Sequence, residues 1–330
     1  MASTINDSDF TIIEPIGTGS FSTVYHATDK NGKHYALKRL FWNNSPERIV
    51  KELRWIYQLD HPNIVKIHAS FRIGDQATLV MEYIPHVPFR VLLSQLKGDI
   101  VKHYMYGLLS ALSYMHSKKI IHRDVKPANF LFDPVSCHGS LIDFGLCEED
   151  LHIHTENVMT GEPNDNDFDL LYPHLCQDRP KMIANRAGTR GFRAPEVLFA
   201  AWNQSPLIDI WSAGVVLLSI LSQRYPFFKS PDDLTSLCEI STIIGTEKLH
   251  AAARECGRKL RFPSEQQGFN LRDLVCRLNP SIDEMCVDES AFDLLEKMLE
   301  PIPSKRINAQ ASLDHKFFDS IRETKNRVKL

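Results

Sequence analysis

His122-Arg123-Asp124-Val125-Lys126-Pro127-Ala128-Asn129 is the most informative stretch of the sequence, and the apolar run Phe130-Leu131-Phe132 follows it directly. A pattern typical of an amphipathic helix precedes the octapeptide, so we predict that it forms a loop. Its polar side chains suit the transfer of a phosphoryl group to a hydroxyl. Asp124 could accept the hydroxyl proton, Lys126 could neutralise charge on the moving phosphate, and Asn129 could hold a divalent metal. The alternative is a surface turn that matches this pattern by chance.

The bulk composition is that of an ordinary folded protein. The 330 residues are 43% hydrophobic and 24% charged, which suggests about two domains. The net charge of -3 predicts no general affinity for nucleic acid or anionic membranes. No secretory signal is expected, and the longest apolar stretch, near Gly214 to Leu221, is too short to span a bilayer. Seven cysteines without a Cys-x-x-Cys pair predict reduced thiols in an intracellular protein.

A glycine-rich turn, Gly17-Thr18-Gly19-Ser20-Phe21-Ser22, lies between two segments of alternating apolar residues. Glycines allow backbone N–H groups to approach phosphate oxygens closely. The predicted order of strand, loop and strand argues against a dinucleotide-binding fold, in which a helix follows the loop. Taken alone, the motif is equally typical of an ordinary hairpin turn.

Lys38 ends the apolar strand pattern Tyr35-Ala36-Leu37-Lys38, where a buried charge is costly unless it is paired. A helix is predicted from about Ser45, a plausible N-cap before a proline. Its glutamates, Glu47 and Glu52, are the nearby candidates for a partner of the lysine. Either glutamate could instead be a solvated charge on the helix surface.

Taken together, these motifs and their order resemble the eukaryotic protein kinases over nearly the whole chain. Ser22 departs from that family because it replaces the third glycine of the loop. Leu141-Ile142-Asp143-Phe144-Gly145 and Ala194-Pro195-Glu196 resemble the two ends of a kinase activation segment. The resemblance implies an α+β, bilobal protein kinase fold. It would have a small antiparallel β lobe with one helix at residues 1–84, and a larger, mainly α lobe at residues 85–330.

The resemblance also implies ATP and Mg²⁺ as cofactors. Lys38 would hold the α- and β-phosphates and be oriented by Glu52, because Glu47 lies one turn too early. Asp143 and Asn129 would hold the magnesium. Met81 would gate the pocket behind the adenine. The predicted ATP-binding residues are Ile16, Gly17, Thr18, Gly19, Ser20, Phe21, Ser22, Val24, Ala36, Lys38, Glu52, Met81, Glu82, Ile84 and Leu131.

Three further residues have scaffold roles in the kinase pattern. Glu196 and Arg306 are predicted to form a buried ion pair in the large lobe. Asp209, in an apolar helical pattern, is predicted to bind the backbone of the catalytic loop.

The span from residue 143 to residue 196 is longer than most kinases need, and its extra part, residues 148–184, is acidic. Such a segment is predicted to be either disordered or docked on another surface. Its histidines and one cysteine raise a zinc hypothesis, but their spacing does not form a usual tetrahedral set. The residues concerned are His152, His154, His174 and Cys176.

Residues 186–259 resemble a narrower family, the cell-division-cycle kinases that fire DNA replication origins with a regulatory subunit. The match includes Ile208-Asp209-Ile210-Trp211-Ser212 and Arg224-Tyr225-Pro226-Phe227-Phe228. It implies a nuclear location, a regulatory activating subunit and protein substrates such as replicative helicase subunits. Neither direct nucleic acid binding nor membrane binding is expected. The chain departs from that family in its reduced insertions and in lacking a counterpart of a cysteine-rich metal site.

The residues around the catalytic loop indicate the class of substrate. Lys126 resembles serine/threonine kinases, and Ala128 stands where kinases that select basic substrates carry a glutamate. Thr189 is predicted to contact the catalytic aspartate and lysine. Arg190 and Arg193 are predicted to bind an acidic or phosphorylated residue that follows the target hydroxyl, because arginine pairs well with such groups. A purely structural role is the alternative for Arg193.

Arg123 pairs with a phosphorylated loop residue in many kinases, but Thr155, Thr160 and Tyr172 lie inside the acidic insert. We therefore hypothesise that a bound regulatory subunit activates the chain and that a carboxylate of the insert serves Arg123. Two other readings remain open at this point. One is another acid-directed kinase that resembles casein kinases, and the other is a pseudokinase that binds partners without catalysis.

Overall fold

The computed structural model describes the backbone of residues 6–19, 22–41, 46–74, 76–150, 187–201 and 204–328. The zinc hypothesis falls on residues outside these ranges. Within the described residues, no group of three or more metal-ligating side chains is placed to hold an ion. No helix of the described part of the chain is long and apolar enough to cross a membrane.

The first region is a five-stranded antiparallel sheet in the order β1-β2-β3-β5-β4. Alternation along the strands buries Ala27, Leu37 and Val80 on one face in a small apolar cluster. The strands are β1 (Phe10–Thr18), β2 (Ser22–Asp29), β3 (His34–Leu40), β4 (Ile67–Ile73) and β5 (Gln76–Glu82).

One helix, α1 (Pro46–Gln58), accompanies this sheet. Trp55 and Ile56 are buried in the main hydrophobic core, so this amphipathic helix has one inward face. Glu52 lies one turn before Ile56 and is therefore on the same inward face.

The second region is mainly helical. Its longest helix, α3, is accompanied by α5, whose described side chains are almost all buried. Gly214 of α5 is packed so closely that an added Cβ would lie 2.9 Å from the Leu299 side chain. The helices are α2 (Phe89–Leu92), α3 (Asp99–Ser117), α4 (Pro195–Leu198), α5 (Leu207–Ser222), α6 (Asp233–Ile244), α7 (Thr246–Glu255), α8 (Leu271–Leu278), α9 (Glu289–Met298), α10 (Ala309–Leu313) and α11 (Asp319–Val328).

Four short strands of the second region frame the octapeptide. β6 (Ile120–Ile121) precedes it and pairs with β9 (Glu148–Glu149), whereas β7 (Phe130–Asp133) follows it and pairs with β8 (His138–Leu141). The octapeptide is therefore held at both ends by hydrogen-bonded strands. The predicted acidic insert begins as strand β9, and its later residues lie outside the described ranges.

The predicted ion pair between Glu196 and Arg306 is confirmed. Arg306 Nη1 and Nη2 donate to the two carboxylate oxygens at 2.6 and 3.0 Å, and both residues are buried. The guanidinium also donates to backbone carbonyls and lies 5.2 Å from the centre of the Trp211 ring. The antiparallel sheet with one helix and the larger helical region confirm the predicted bilobal α+β fold.

Candidate active site

Lys38 lies at the centre of the site, near the end of β3. Its Nζ atom is 2.5 Å from Glu52 Oε1 and 3.2 Å from Asp143 Oδ1. Burial alone would lower the pKa of Lys38, but the charges and hydrogen bonds of the two carboxylates raise it above its ordinary value. The predicted pairing of Lys38 with Glu52 is confirmed, and the lysine is held as a cation beside Asp143.

Asp143 and Asn129 form the candidate metal site. Burial raises the pKa of Asp143, but the positive charge and hydrogen bond of Lys38 outweigh this effect, so the pKa of the carboxyl is lowered from its ordinary value. Asn129 donates its amide nitrogen to the backbone oxygen of Asp124 at 2.8 Å and to its carboxylate at 3.1 Å. The amide oxygen of Asn129 is the atom that would contact a cation. A carboxylate and an amide oxygen suit a hard divalent cation such as Mg²⁺.

The carboxylate of Asp124 is held by several donors. Thr189 donates its backbone N–H and its hydroxyl to Oδ1 at 2.8 and 2.7 Å. Lys126 donates to Oδ2 at 2.7 Å and to the Thr189 hydroxyl at 2.9 Å. The predicted contacts of Thr189 with the catalytic aspartate and lysine are therefore confirmed. This network fixes the orientation of the Asp124 carboxylate, a group that can act as a general base.

Asp209 binds the backbone of the loop that carries Asp124. Its fully buried carboxylate accepts hydrogen bonds from the backbone N–H groups of His122 and Arg123, both at 2.8 Å, and from His116 at 2.9 Å. Burial raises the pKa of Asp209, but the hydrogen bond and charge of His116 outweigh this effect and lower it. The predicted role of Asp209 in binding the loop backbone is confirmed.

Sequence reasoning missed Gly188 and His116 as parts of this support. Gly188 has a φ of 99°, and a Cβ there would lie 2.4 Å from the backbone oxygen of Arg123. Only glycine therefore allows Thr189 to reach Asp124 at this point. The glycine directly before the predicted contact residue was the available signal. No sequence signal marked His116, because its partner is 93 residues away.

The predicted ATP-binding residues on the strands line one face of the sheet. Val24 is paired with Lys38, and Ala36 is paired with Met81, in adjacent antiparallel strands. Residues paired in this way project on the same face, so these side chains share the side occupied by the Lys38 ammonium. Leu131 lies on β7. Their roles in binding ATP stay predictions.

The rest of the predicted ATP site lies at the edges of this face. The Gly19 backbone N–H donates to the Ser22 oxygen at 2.9 Å and closes the predicted phosphate loop, whose residues Ser20 and Phe21 lie outside the described ranges. Glu82 ends β5, and the buried Ile84 follows it. Ile16, Gly17 and Thr18 are exposed residues of β1.

The two predicted substrate-binding arginines have different surroundings. Arg190 is exposed, and its guanidinium contacts the backbone oxygen of Pro231. Arg193 is only partly exposed, and it donates to Asp233 at 2.7 Å and to the Gly188 oxygen at 3.0 Å. These contacts favour the structural alternative for Arg193, and its role in substrate binding stays a prediction.

The site therefore combines a paired lysine, an acidic residue suited to a metal and a fixed carboxylate base, the groups needed for phosphoryl transfer. The description "Protein kinase domain" belongs to a family model that matches residues 10–318. The chain belongs to the protein kinase family.

Several similar proteins have names that refer to cell division or the cell cycle. The chain is 38% identical to the probable cell division control protein 7 homolog 2 of Encephalitozoon cuniculi, over 96% of this chain and 94% of that protein. It is 34% identical to the cell cycle serine/threonine-protein kinase hsk1 of Schizosaccharomyces pombe, over 94% of this chain and 72% of that protein. It is 31% identical to the cell cycle protein kinase spo4 of the same yeast, over 97% and 87% of the two chains. The chain is thus an ATP- and metal-using serine/threonine kinase related to these proteins.

Proposed function

We propose that this kinase uses Mg²⁺-ATP to phosphorylate serine or threonine before an acidic or phosphorylated residue. We further propose that a regulatory subunit activates it, and that it acts in the nucleus in the initiation of DNA replication, on substrates such as replicative helicase subunits. The observation that carries the acidic preference is the exposed Arg190. It directly follows Thr189, which contacts the catalytic base Asp124.

The arrangement of the side chains supports each step of this reaction. Asp124 orients the substrate hydroxyl and accepts its proton, while Lys126 donates to the transferring group. Lys38 binds phosphate oxygens, because Glu52 holds its ammonium in place at 2.5 Å. Asp143 and Asn129 would hold Mg²⁺, which would supply positive charge to neutralise the phosphates.

The exposed face of α1 supports the proposal of a regulatory subunit. Val50 and Tyr57 are 64% and 56% exposed, and they lie two turns apart on one side of the helix that carries Glu52. Large exposed apolar side chains are typical of protein contact surfaces. A partner on this face would stabilise the helix in the position that pairs Glu52 with Lys38.

Replacing Arg190 with alanine is expected to lower kcat/KM for a peptide with Ser followed by Asp by about 10-fold, because a charge-assisted hydrogen bond worth about 1.4 kcal/mol is lost. The rate for a peptide with alanine after the serine should change little. The measurement is phosphate incorporation into the paired peptides.

Arg272→Ala is the matched control, because Arg272 is an exposed arginine on α8, paired with Glu289 outside the site. A preference of the wild-type kinase for basic residues after the target serine would refute the proposal. So would an Arg190→Ala variant with the full acidic preference.

The regulatory subunit is tested by purifying the tagged chain from cells and assaying it with and without its copurifying proteins. We expect activity to rise about 10-fold or more with the partner. Without the partner, only a small fraction of the molecules would be in the active state, and this fraction would limit the rate. Val50→Asp should weaken copurification, because a charge would be buried in the contact. Val135→Asp is the control, at a 91% exposed valine beside the β7–β8 turn. Full activity of the isolated chain would contradict the requirement for a partner.

A further inference from the structure

Arg123 is a buried cation directly beside the catalytic base. Its side chain is only 4% exposed, and its backbone has a φ of 70°. The guanidinium donates through Nη1 to the Glu148 carboxylate and through Nη2 to the Gln204 amide oxygen at 2.8 Å. The hypothesis that a carboxylate of the acidic insert serves Arg123 is therefore confirmed, and the carboxylate is that of Glu148.

A buried guanidinium keeps its charge and requires a negative partner. Asp209 contributes negative charge, but its oxygens already accept bonds from His116 and from the backbone of His122 and Arg123. Among the residues that the structure describes, Glu148 places a carboxylate in direct contact with the guanidinium. Its removal would take this negative charge away from a buried cation next to Asp124.

The position of Glu148 connects two parts of the active site. Its strand, β9, begins shortly after the candidate metal ligand Asp143, and Glu148 is paired with Ile121 directly before the catalytic loop. The side chain then reaches Arg123 inside that loop. One residue therefore joins the segment that carries Asp143 to the loop that carries Asp124 through both backbone and side-chain contacts.

We propose that Glu148 is a positioning residue, whose built-in negative charge holds Arg123 and so orients the Asp124 loop without a phosphate from the activation segment. A phosphorylated side chain is not needed at Arg123, because the carboxylate of Glu148 already pairs with its guanidinium. This inference rests on the kinase activity of the chain. It does not depend on acidic substrates or on a regulatory subunit.

The first test is Glu148→Gln, which keeps the shape of the side chain and removes its charge. We expect kcat to fall by about 10-fold or more, because a misplaced base is costly, while KM for ATP stays within about twofold. Glu148→Asp should recover part of the lost rate, since it restores the charge at a shorter reach. Rates are measured on the full chain with any partner that copurifies, per ATP-binding site, so that loss of folded protein is not counted as loss of turnover.

Glu149→Gln is the matched control. Glu149 is the neighbouring residue of β9, and its partly exposed carboxylate is 3.9 Å from Arg54 of α1. Its removal should leave kcat nearly unchanged. Wild-type turnover in Glu148→Gln would overturn the proposal, as would equal losses in the two variants.

A second pair of measurements does not depend on the Glu148 variants. Phosphatase-treated wild-type kinase, verified by mass spectrometry to carry no phosphate on its activation segment, should keep its initial rate. Replacement of Thr155 and Thr160 by alanine and of Tyr172 by phenylalanine should also keep it. Loss of activity in either experiment would show that a phosphate is required and would refute the inference. A substrate preference other than acidic would leave this result unchanged, so the two proposals fail independently.

Discussion

Asp124→Asn is expected to lower kcat by roughly 10²–10⁴-fold and to leave ATP binding intact, since general-base catalysis contributes about this factor. The carboxylate is the group placed to accept the hydroxyl proton, and an amide cannot replace it. The amide would also present an N–H group to donors from Thr189, Lys126 or Asn129. The side chain of Lys38, which is proposed to bind the nucleotide, keeps its own partners, so affinity for ATP should persist.

The measurement pairs phosphate incorporation into a serine peptide with direct titration of ATP binding. Asp314→Asn is the matched control, because it makes the same change at an exposed carboxylate that ends α10. A wild-type rate in Asp124→Asn would exclude Asp124 as the base. Absence of phosphate transfer by the wild-type chain, alone and with its copurifying partner, would instead favour the pseudokinase alternative.

Arg306→Ala is expected to lower the free energy of unfolding by about 3–5 kcal/mol, because it breaks a buried ion pair and leaves one charge without compensation. Glu196 would stay in the core after losing donors at 2.6 and 3.0 Å. The carbonyl oxygens of Leu207 and Glu300 would lose a donor as well. A measurable fraction of the variant molecules should therefore be unfolded near physiological temperature.

Chemical denaturation followed by circular dichroism gives the free energy directly. Arg272→Ala is the comparison, because Arg272 forms an equally close pair with Glu289 in solvent, at 2.6 Å. Such exposed pairs contribute little to stability, because solvent screens the two charges. Equal effects of the two variants would show that burial does not decide the strength of the Arg306 pair. Replacing both Glu196 and Arg306 by apolar residues should restore part of the stability.

Several features of the site could be predicted because their information is local. The octapeptide contains the base, a phosphate-directed lysine and a metal-directed amide within one short loop, so its chemistry is visible without any fold. Lys38 stands at the end of an apolar strand pattern, which already requires a counter-ion. The spacing implied by the kinase resemblance favoured Glu52 over Glu47, and the structure confirms that pair.

Other features depend on contacts that no local pattern encodes. Thr189 reaches Asp124 from 65 positions away, and Glu196 reaches Arg306 across 110 positions. Family resemblance supplied these two pairs. The resemblance did not predict the contact of Arg193 with Asp233. This contact makes the surroundings of Arg193 different from those of the exposed Arg190.

The sequence by itself indicated the class of chemistry, the strands on both sides of the glycine-rich turn and the loop that carries the candidate base Asp124. These follow from residue type, periodicity and short spacing, which are properties of neighbouring residues. Only the tertiary structure decided which acidic residue compensates Arg123, because the acidic segment offers many carboxylates of equal charge. Pairing of β9 with β6 brings Glu148 to the guanidinium, and the alternation of a strand directs Glu149 elsewhere. Burial makes the contact between Glu148 and Arg123 important, because the guanidinium beside Asp124 is removed from water and needs a negative partner.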